Sequence, residues 1–351
     1  MSEPTTIHAS PTGGAASGAT GGASAPPPPT AGTPEPGSAT RKRGFRVPSS
    51  AALVAFLLLE VAFFSARSPY FLNWDNWTNI LTALSVVGVV SCGMTFLLVA
   101  GQMDLSVGSG IAFTGLVLAE LAPRYGLGVA VPVALLTGIL IGVLNGFVVT
   151  VVGVNALITT LGTMAVFRGL TLAIGHGQNI AIDGIGWGIA RPFLNVPVTV
   201  YVFLAAAVLA SLVLAVTVYG RSLYTVGANA VAARLVGLPV GRTLFLGFVI
   251  SGLCVGLGGL MNTSLVGSTS GTTGTGLELA AITAVILGGT SLSGGKGGIL
   301  GTVLGLLIVG VLTNGLTLMN VDSSWQQVAT GILLIAAVAF DRVRQGLVRE
   351  S

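Results

Sequence analysis

Charged residues are scarce in this sequence. Asp, Glu, Lys and Arg make up only 7% of its 351 residues, whereas a soluble domain carries about 25%. This scarcity excludes a water-soluble globular protein. The net charge of +4 is also too small and too dispersed to indicate a nucleic-acid-binding protein.

Cysteine and histidine are scarce as well. The two cysteines, Cys92 and Cys254, lie in apolar runs, and their spacing fits neither a disulfide framework nor a metal site. His176 is the only histidine outside the N-terminal tail, and no Ser–His–Asp or metal-ligand pattern surrounds it. We therefore predict a non-catalytic protein that holds no metal and no cofactor.

Hydrophobic residues, in contrast, are abundant. They account for 52% of the sequence, and the mean hydropathy is +0.92. They fall in blocks close to the roughly 20 residues that a membrane-spanning helix needs, so we predict an all-α membrane protein with about ten transmembrane helices. The predicted spans lie near residues 50–67, 85–101, 104–122, 128–151, 155–174, 197–218, 243–266, 277–290, 298–318 and 325–340.

The basic residues predict the orientation of these spans, because cytoplasmic loops carry an excess of Lys and Arg. With the N-terminus inside, eleven basic residues lie in inner segments and three in outer segments, while Arg168 falls within a span. This asymmetry predicts an even number of spans with both termini in the cytoplasm. The inner residues are Arg41, Lys42, Arg43, Arg46, Arg221, Arg234, Arg242, Lys296, Arg342, Arg344 and Arg349, and the outer residues are Arg67, Arg124 and Arg191.

The composition divides the chain into regions. Residues 1–48 form a Gly/Ala/Pro-rich tail that ends in a basic cluster. This tail has nothing to bury, so we expect it to be disordered and cytoplasmic. Residues 49–345 form the transmembrane domain, and within it residues 219–242 form a basic loop that the predicted topology places in the cytoplasm.

Two stretches are poor candidates for simple spans. Residues 102–106 leave almost no room for an aqueous turn, and residues 267–277 are too rich in Gly and Thr to be helical. We predict broken helices at both places. Broken backbone at membrane depth is tolerated only where protein or a watery cavity satisfies its polar groups, and in transporters it often lies beside the substrate path.

Polar residues at these breaks have two interpretations. Asp104 or Ser106 would cap the helix that starts at Val107, and Glu278 would stabilise the start of the helix after the second break. Alternatively, these side chains face a substrate path.

Polar residues within the spans also have two interpretations each. Asn145, Asn155 and Asn314 either join helices through hydrogen bonds or contact a ligand. Arg168 either extends to the membrane surface or pairs with a backbone carbonyl.

The segment Gly288–Gly298 resembles a phosphate-binding loop only in its glycines. A Walker A motif needs Gly five residues before its second Gly, then Lys and Ser or Thr. Here Thr290 occupies the first glycine position, and Gly297 follows Lys296. The segment therefore predicts a tight cytoplasmic glycine turn and no nucleotide site.

The cytoplasmic loop contains one short predicted helix. Asn229 suits its N-cap, Gly237 suits its end, and Pro239 prevents its continuation. Such a helix either lies on the membrane surface or docks into a groove of a partner protein, and its small residues favour docking. Its apolar face comprises Ala232, Leu235 and Val236 beside Arg234.

Four ordered segments of this chain point to one family, namely Gly93–Gly108, Val154–Thr163, Tyr219–Gly237 and Gly288–Gly298. They resemble the permease subunits of bacterial ATP-binding-cassette importers for monosaccharides, of the ribose type. The resemblance covers roughly residues 50–345. The family's Gly-Gly-Ile-Asp-Leu-Ser-Val-Gly motif appears at 101–108 with Gln and Met at its second and third positions, and its Asn-Glu-x-Ala-Ala segment appears at 229–233 with Ala in place of Glu.

The resemblance implies an inner-membrane subunit that forms the path of a monosaccharide. It also implies ATPase subunits, an extracytoplasmic sugar-binding protein and a second permease copy as partners, besides membrane lipid. The expected path residues are Gln102, Asp104, Ser106, Asn155, Thr159 and Glu278. The expected ATPase-coupling residues are Asn229, Ala232, Ala233, Arg234 and Gly237, with Ala232 and Ala233 at the tightest contact.

Two other functions compete with this prediction. An importer for branched-chain amino acids or another small polar solute differs only in substrate. An ion-coupled secondary transporter would need a chain of acids and histidines in the membrane. No histidine lies in a span, and the available acids are Glu60, Asp104, Glu120 and Glu278.

Overall fold

The computed structural model describes the backbone of residues 49–349 and the side chains of residues 51–339. The predictions for residues 1–48 lie outside this range. Within it the chain forms twelve α-helices with a π turn at Val148–Val152 and a 3-10 turn at Gly186–Ile189. The helices are α1 (Ser49–Arg67), α2 (Trp74–Val99), α3 (Val107–Tyr125), α4 (Leu127–Phe147), α5 (Ala156–Ile174), α6 (Val198–Val216), α7 (Val218–Ala228), α8 (Ala230–Leu235), α9 (Val240–Val266), α10 (Leu277–Leu287), α11 (Ile299–Leu318) and α12 (Ser323–Arg349).

An all-α membrane protein fits this architecture. In the described part of the chain, six helical segments are long and apolar enough to cross a membrane, namely α2, α4 with its π turn, α5, α6, α9 and α11. Two shorter apolar helices, α10 and the first part of α12, accompany them. The predicted number of ten transmembrane helices is therefore not confirmed.

Burial separates the central helices from the peripheral ones. In their most apolar windows, α2 is 78% buried and α9 is 61% buried, whereas α4, α5 and α6 are only 28–33% buried. Large apolar side chains remain exposed on the peripheral helices, which is the expected arrangement when lipid is the solvent. The core of the domain therefore lies around α2 and α9.

Glycines set the distance between α4 and α9. Gly138 and Gly142 of α4 face Gly252 and Gly256 of α9, and a Cβ atom built on Gly252 would lie only 2.8 Å from the Cα atom of Gly142. Small residues spaced four apart let membrane helices approach backbone to backbone. The crossing of α4 and α9 therefore leaves no room for a Cβ atom at these four positions.

Both predicted helix breaks are present. Irregular backbone joins α2 to α3 over residues 100–106, and a second irregular segment joins α9 to α10 over residues 267–276. The second segment begins with a two-residue strand, β2 (Ser268–Thr269), which pairs antiparallel with β1 (Ile180–Ala181).

The basic loop at residues 219–242 is more helical than its sequence indicated. Its first half forms α7, whose N-cap residue Thr217 accepts a hydrogen bond from the amide of Gly220 at 3.0 Å. The one short helix predicted in this loop is confirmed as α8. The Oδ1 atom of Asn229 accepts from the amides of Val231 and Ala232, and Gly237 takes the left-handed conformation (φ 82°) that ends such helices.

Candidate functional site: a buried polar cluster and an exposed helix

The carboxylate of Asp104 is buried at the first break, with 1% of the residue exposed. Its Oδ1 atom accepts hydrogen bonds from the amide of Ser106 at 3.0 Å and from the Ser106 hydroxyl at 2.6 Å. Its Oδ2 atom accepts from the hydroxyl of Ser251 on α9 at 3.0 Å. Asp104 therefore ties the broken segment to a central helix.

The cluster continues from Ser106 to two peripheral helices. The side-chain amide of Asn145 on α4 donates to the Ser106 hydroxyl at 2.9 Å and lies 3.5 Å from Asp104 Oδ1. The hydroxyl of Thr163 on α5 in turn donates to Asn145 Oδ1 at 2.7 Å. Together these side chains connect the break to α4, α5 and α9.

The cluster holds its carboxylate by hydrogen bonds without a cation. In residues 51–339, whose side chains are described, no ion pair involves Asp104. Hydroxyl and amide donors are the remaining way to satisfy a buried carboxylate, and each one lost would leave a polar group unpaired in a low-dielectric interior.

The capping interpretation of this segment needs a correction. Ser106 occupies the N-cap position of α3, but its side chain makes no capping hydrogen bond. Asp104 accepts from the amide of Ser106 itself, one residue before α3 begins. The two side chains bond to each other because a carboxylate is a stronger acceptor for the Ser106 hydroxyl than any backbone group within reach.

The second break is held by Arg168 from α5. Its Nη1 atom donates to the carbonyl of Gly271 at 2.6 Å and to the carbonyl of Thr273 at 2.7 Å. The predicted pairing with backbone carbonyls is thus confirmed. Nη1 of a guanidinium carries two N–H donors in fixed directions, so this one side chain holds two carbonyls of the irregular segment.

Glu278 lies in the first turn of α10, as predicted. Its Oε1 atom accepts from the amide of Gly276 at 3.2 Å, whereas its Oε2 atom is buried without a hydrogen-bond partner. A Cβ atom on Gly108 would overlap this Oε2 atom and the carbonyl oxygen of Gly274. The two breaks therefore meet at the start of α3. In the sequence they are 165 residues apart, counted from Asp104 to Thr269.

The other expected path residues lie apart from the Asp104 cluster or at its edge. Gln102 is half-buried, and Asn155 is exposed. Asn155 caps α5 by accepting from the amide of Leu157 at 2.9 Å, so it does not join helices as Asn145 does. Thr159 is buried, and its carbonyl accepts from Thr163 at 2.6 Å.

Asn314 lies outside this site. It confirms, for this residue, the interpretation that asparagines within the spans join helices through hydrogen bonds. It pairs reciprocally with Asn76 of α2, through two hydrogen bonds of 2.9 and 3.0 Å. The pair joins α2 to α11.

Helix α8 presents an apolar surface to its surroundings. Val231, Leu235 and Val236 are 71%, 84% and 74% exposed. Ala233, expected at the tightest contact with a partner, is instead only 1% exposed and packs against Val226 and Val240 of its own chain. The apolar face therefore includes Val231, and Ala233 positions the helix.

A close backbone contact links α7 and the glycine segment at residues 288–298 to the end of α2, where the first break begins. The amide of Gly295 donates to the carbonyl of Val99, the last residue of α2, at 2.8 Å. Gly227 of α7 lies against both groups, and a Cβ atom there would overlap the Val99 carbonyl oxygen. The hydroxyl of Tyr224 donates to the Gly297 carbonyl at 2.9 Å, and burial raises the pKa of this phenol. The glycine segment is a tight turn, as predicted.

Sequence reasoning missed Ser251 and Thr163 as members of the polar cluster. Ser251 lies 147 residues from Asp104, inside an apolar helix. A lone hydroxyl in such a helix usually bonds to its own backbone, so its sequence carries no signal of this contact.

Comparison with known proteins gives consistent matches. A family model described as a branched-chain amino acid transport system permease component matches residues 76–338. The ribose import permease protein of Escherichia coli K12 is 39% identical over 302 residues, which cover 84% of this chain and 94% of that protein. The L-arabinose transport system permease protein of the same strain is 40% identical over 84% of this chain and 90% of that protein. The ribose import permease protein of Bacillus subtilis 168 is 38% identical over 82% and 90%. No solved structure matches the chain.

Proposed function

The chain belongs to the family of permease subunits of ribose-type ATP-binding-cassette importers, and on this premise we propose that it forms the path of a monosaccharide across a bacterial inner membrane. It is a multi-pass membrane protein and a non-catalytic subunit. The names of the relatives favour a sugar over a branched-chain amino acid, because ribose and L-arabinose permeases match along most of their length. Membership of this family also disfavours an ion-coupled secondary transporter.

The proposed importer contains further subunits. ATP is hydrolysed on separate ATPase subunits, an extracytoplasmic binding protein delivers the sugar, and a second copy of the permease completes the path. The exposed face of α5 supports pairing with a second copy, because Gly162 and Gly169 have no neighbour within 4 Å and leave room for a close helix contact.

The observation that carries the proposal is the exposed apolar surface of α8. A six-residue helix capped at both ends, with Leu235 84% exposed, is suited to insert into a groove of a soluble partner. Buried Ala233 keeps the helix seated on its own chain, so a force on α8 passes into the permease.

The contact of Gly227 with Val99 and Gly295 supplies a route for that force. Movement of α7 acts directly on the Val99 carbonyl through Gly227, and Val99 ends the helix that precedes the first break. ATP-driven closure of the ATPases would thus change the free-energy difference between the inward- and outward-open permease states.

The proposed path passes the point where the two breaks meet. Glu278 Oε2 has no hydrogen-bond partner in the described structure and would accept a bond from a sugar hydroxyl. Asp104 and Ser106, both buried here, would line the path only after the cluster opens. Gln102, Asn155 and Thr159 complete the proposed path.

The proposed topology places both chain termini in the cytoplasm, with about ten spans between them.

A single variant tests the docking surface. Leu235→Asp should release at least about nine-tenths of the ATPase that co-purifies with the tagged permease, because a carboxylate in a close-packed apolar groove is strongly disfavoured. The thermal unfolding midpoint of the permease should not change, since Leu235 is 84% exposed. The matched control is Leu72→Asp, at another leucine that is 62% exposed, in the segment between α1 and α2.

Transport measurements complete the test. Uptake of labelled ribose or L-arabinose into proteoliposomes should require ATP, the ATPase and the binding protein, and should be lost in Leu235→Asp. Uptake that an ionophore abolishes and that persists without the ATPase would identify a secondary transporter instead. Full ATPase retention by Leu235→Asp, with weaker membrane association of α8, would place this helix on the lipid surface.

A further inference from the structure

A cavity of about 590 Å³ lies where α6 ends and α11 begins. Its walls come from α1, α6, α7 and the glycine segment that leads into α11. Leu53, Leu214 and Leu304 make one side of it apolar. The volume falls within the range of about 300–1,000 Å³ that is typical of small-molecule pockets.

The other side of the cavity carries positive charge. Lys296 is the one ionisable acid or base among the lining residues besides the phenol of Tyr224. Lys296 is an exposed residue, and within the described side chains its ammonium group makes no ion pair and no hydrogen bond. The Ser211 hydroxyl, which also lines the cavity, is likewise without a partner there.

The first turn of α11 adds to this charge. Residues 299–301 line the cavity, and the first amides of a helix have no acceptor within the helix. The helix dipole favours an anion at the same end. A cation, a hydroxyl and the first turn of a helix thus line one volume, and no acidic group is among its lining residues.

The position of the cavity selects the kind of anion. It lies at the end of α6 that leads into α7 and α8, so the predicted topology places it at the cytoplasmic face of the membrane, where anionic phospholipids are found. Leu300, also on its lining, is 77% exposed, and the cavity therefore opens beside an apolar outer surface. A soluble anion would not need that apolar wall.

We propose that this cavity binds an anionic phospholipid of the cytoplasmic leaflet, with the headgroup phosphate at Lys296 and an acyl chain along Leu53 and Leu304. Basic pockets between membrane helices on this face recognise such headgroups by the same combination of charge and apolar wall. The bound lipid would fill the cleft between α1 and α6 over the first turn of α11.

Binding can be measured on the full-length permease in detergent by native mass spectrometry, with dioleoylphosphatidylglycerol as the probe and dioleoylphosphatidylcholine as the neutral comparison. The wild type should retain phosphatidylglycerol preferentially. Lys296→Gln should weaken its retention roughly five- to tenfold, in line with one Lys–lipid interaction, and Lys296→Arg should restore most of it. Ser211→Phe should weaken retention without a change of charge, because the ring fills the cavity.

The matched control is Arg242→Gln, which removes an exposed cation of the same predicted face that does not line the cavity. Equal loss in Arg242→Gln and Lys296→Gln would overturn the proposal in favour of non-specific attraction. Equal retention of the neutral lipid would also overturn it, as would displacement of the lipid by millimolar inorganic phosphate. If Lys296→Gln keeps the lipid but loses the ATPase, the cavity is a protein contact and the lipid assignment is wrong.

Discussion

Replacing Asp104 tests whether the buried cluster holds the broken segment in place. In Asp104→Leu the amide and hydroxyl of Ser106 and the hydroxyl of Ser251 lose their acceptor. The Ser251 hydroxyl can turn to a carbonyl of its own helix, which leaves one or two donors unpaired. At about 1–3 kcal/mol for each buried unpaired group, we expect a loss of about 2–4 kcal/mol in the free energy of unfolding.

Asp104→Asn is the matched variant, because its side chain has nearly the same shape. The Asn Oδ1 atom would still accept from Ser106, and its amide would face the Ser251 hydroxyl, which can accept as well as donate. The expected loss is below about 1 kcal/mol. Ser251→Ala should fall between the two variants, since it removes one donor and leaves the rest of the cluster.

The assay is thermal unfolding of the purified protein in nanodiscs, combined with uptake of labelled ribose or L-arabinose. Asp104→Leu should lower the unfolding midpoint by several degrees and reduce uptake, while Asp104→Asn should keep the midpoint. Uptake by the folded Asn variant separates the two roles: normal uptake assigns hydrogen bonding to Asp104, and lost uptake assigns its charge to the path. Wild-type stability and uptake in Asp104→Leu would refute the reasoning and remove Asp104 from the mechanism.

Three further predictions concern packing, topology and the coupling helix. Gly252→Ala should push α4 and α9 apart and cost about 1–3 kcal/mol of stability, whereas Gly128→Ala, in α4 but with no neighbour within 4 Å, should cost almost nothing; equal unfolding midpoints would contradict the backbone contact. A cysteine at Ser222 should resist labelling from outside while residues 176–190 are labelled, and external labelling at 222 would reverse the proposed orientation. Ala233→Trp should weaken ATPase binding by displacing α8, because this side chain is buried in its own chain; unchanged co-purification and sugar-stimulated hydrolysis would refute that role.

The helix breaks were predictable because their signals are local. Gly and Thr crowd residues 267–276, and no apolar run of bilayer length fits there. The caps of α8 were predictable for the same reason, since Asn229 and Gly237 act within three or four residues of themselves. The number of spans was less secure, because an apolar run in the sequence does not show where its helix ends. The predicted span at 277–290 holds α10, which is only 11 residues long, well short of the roughly 20 residues that a spanning helix needs.

The sequence alone determined that this is a membrane protein and where the two helix breaks lie, because composition and short-range backbone preferences decide both. Only the tertiary structure decided which polar groups meet. Each residue turns a helix face by about 100°, so the packing of the whole bundle decides whether a side chain points inward or outward. That is why Ala233 is buried, and why Ser251 reaches a carboxylate 147 residues away in the chain.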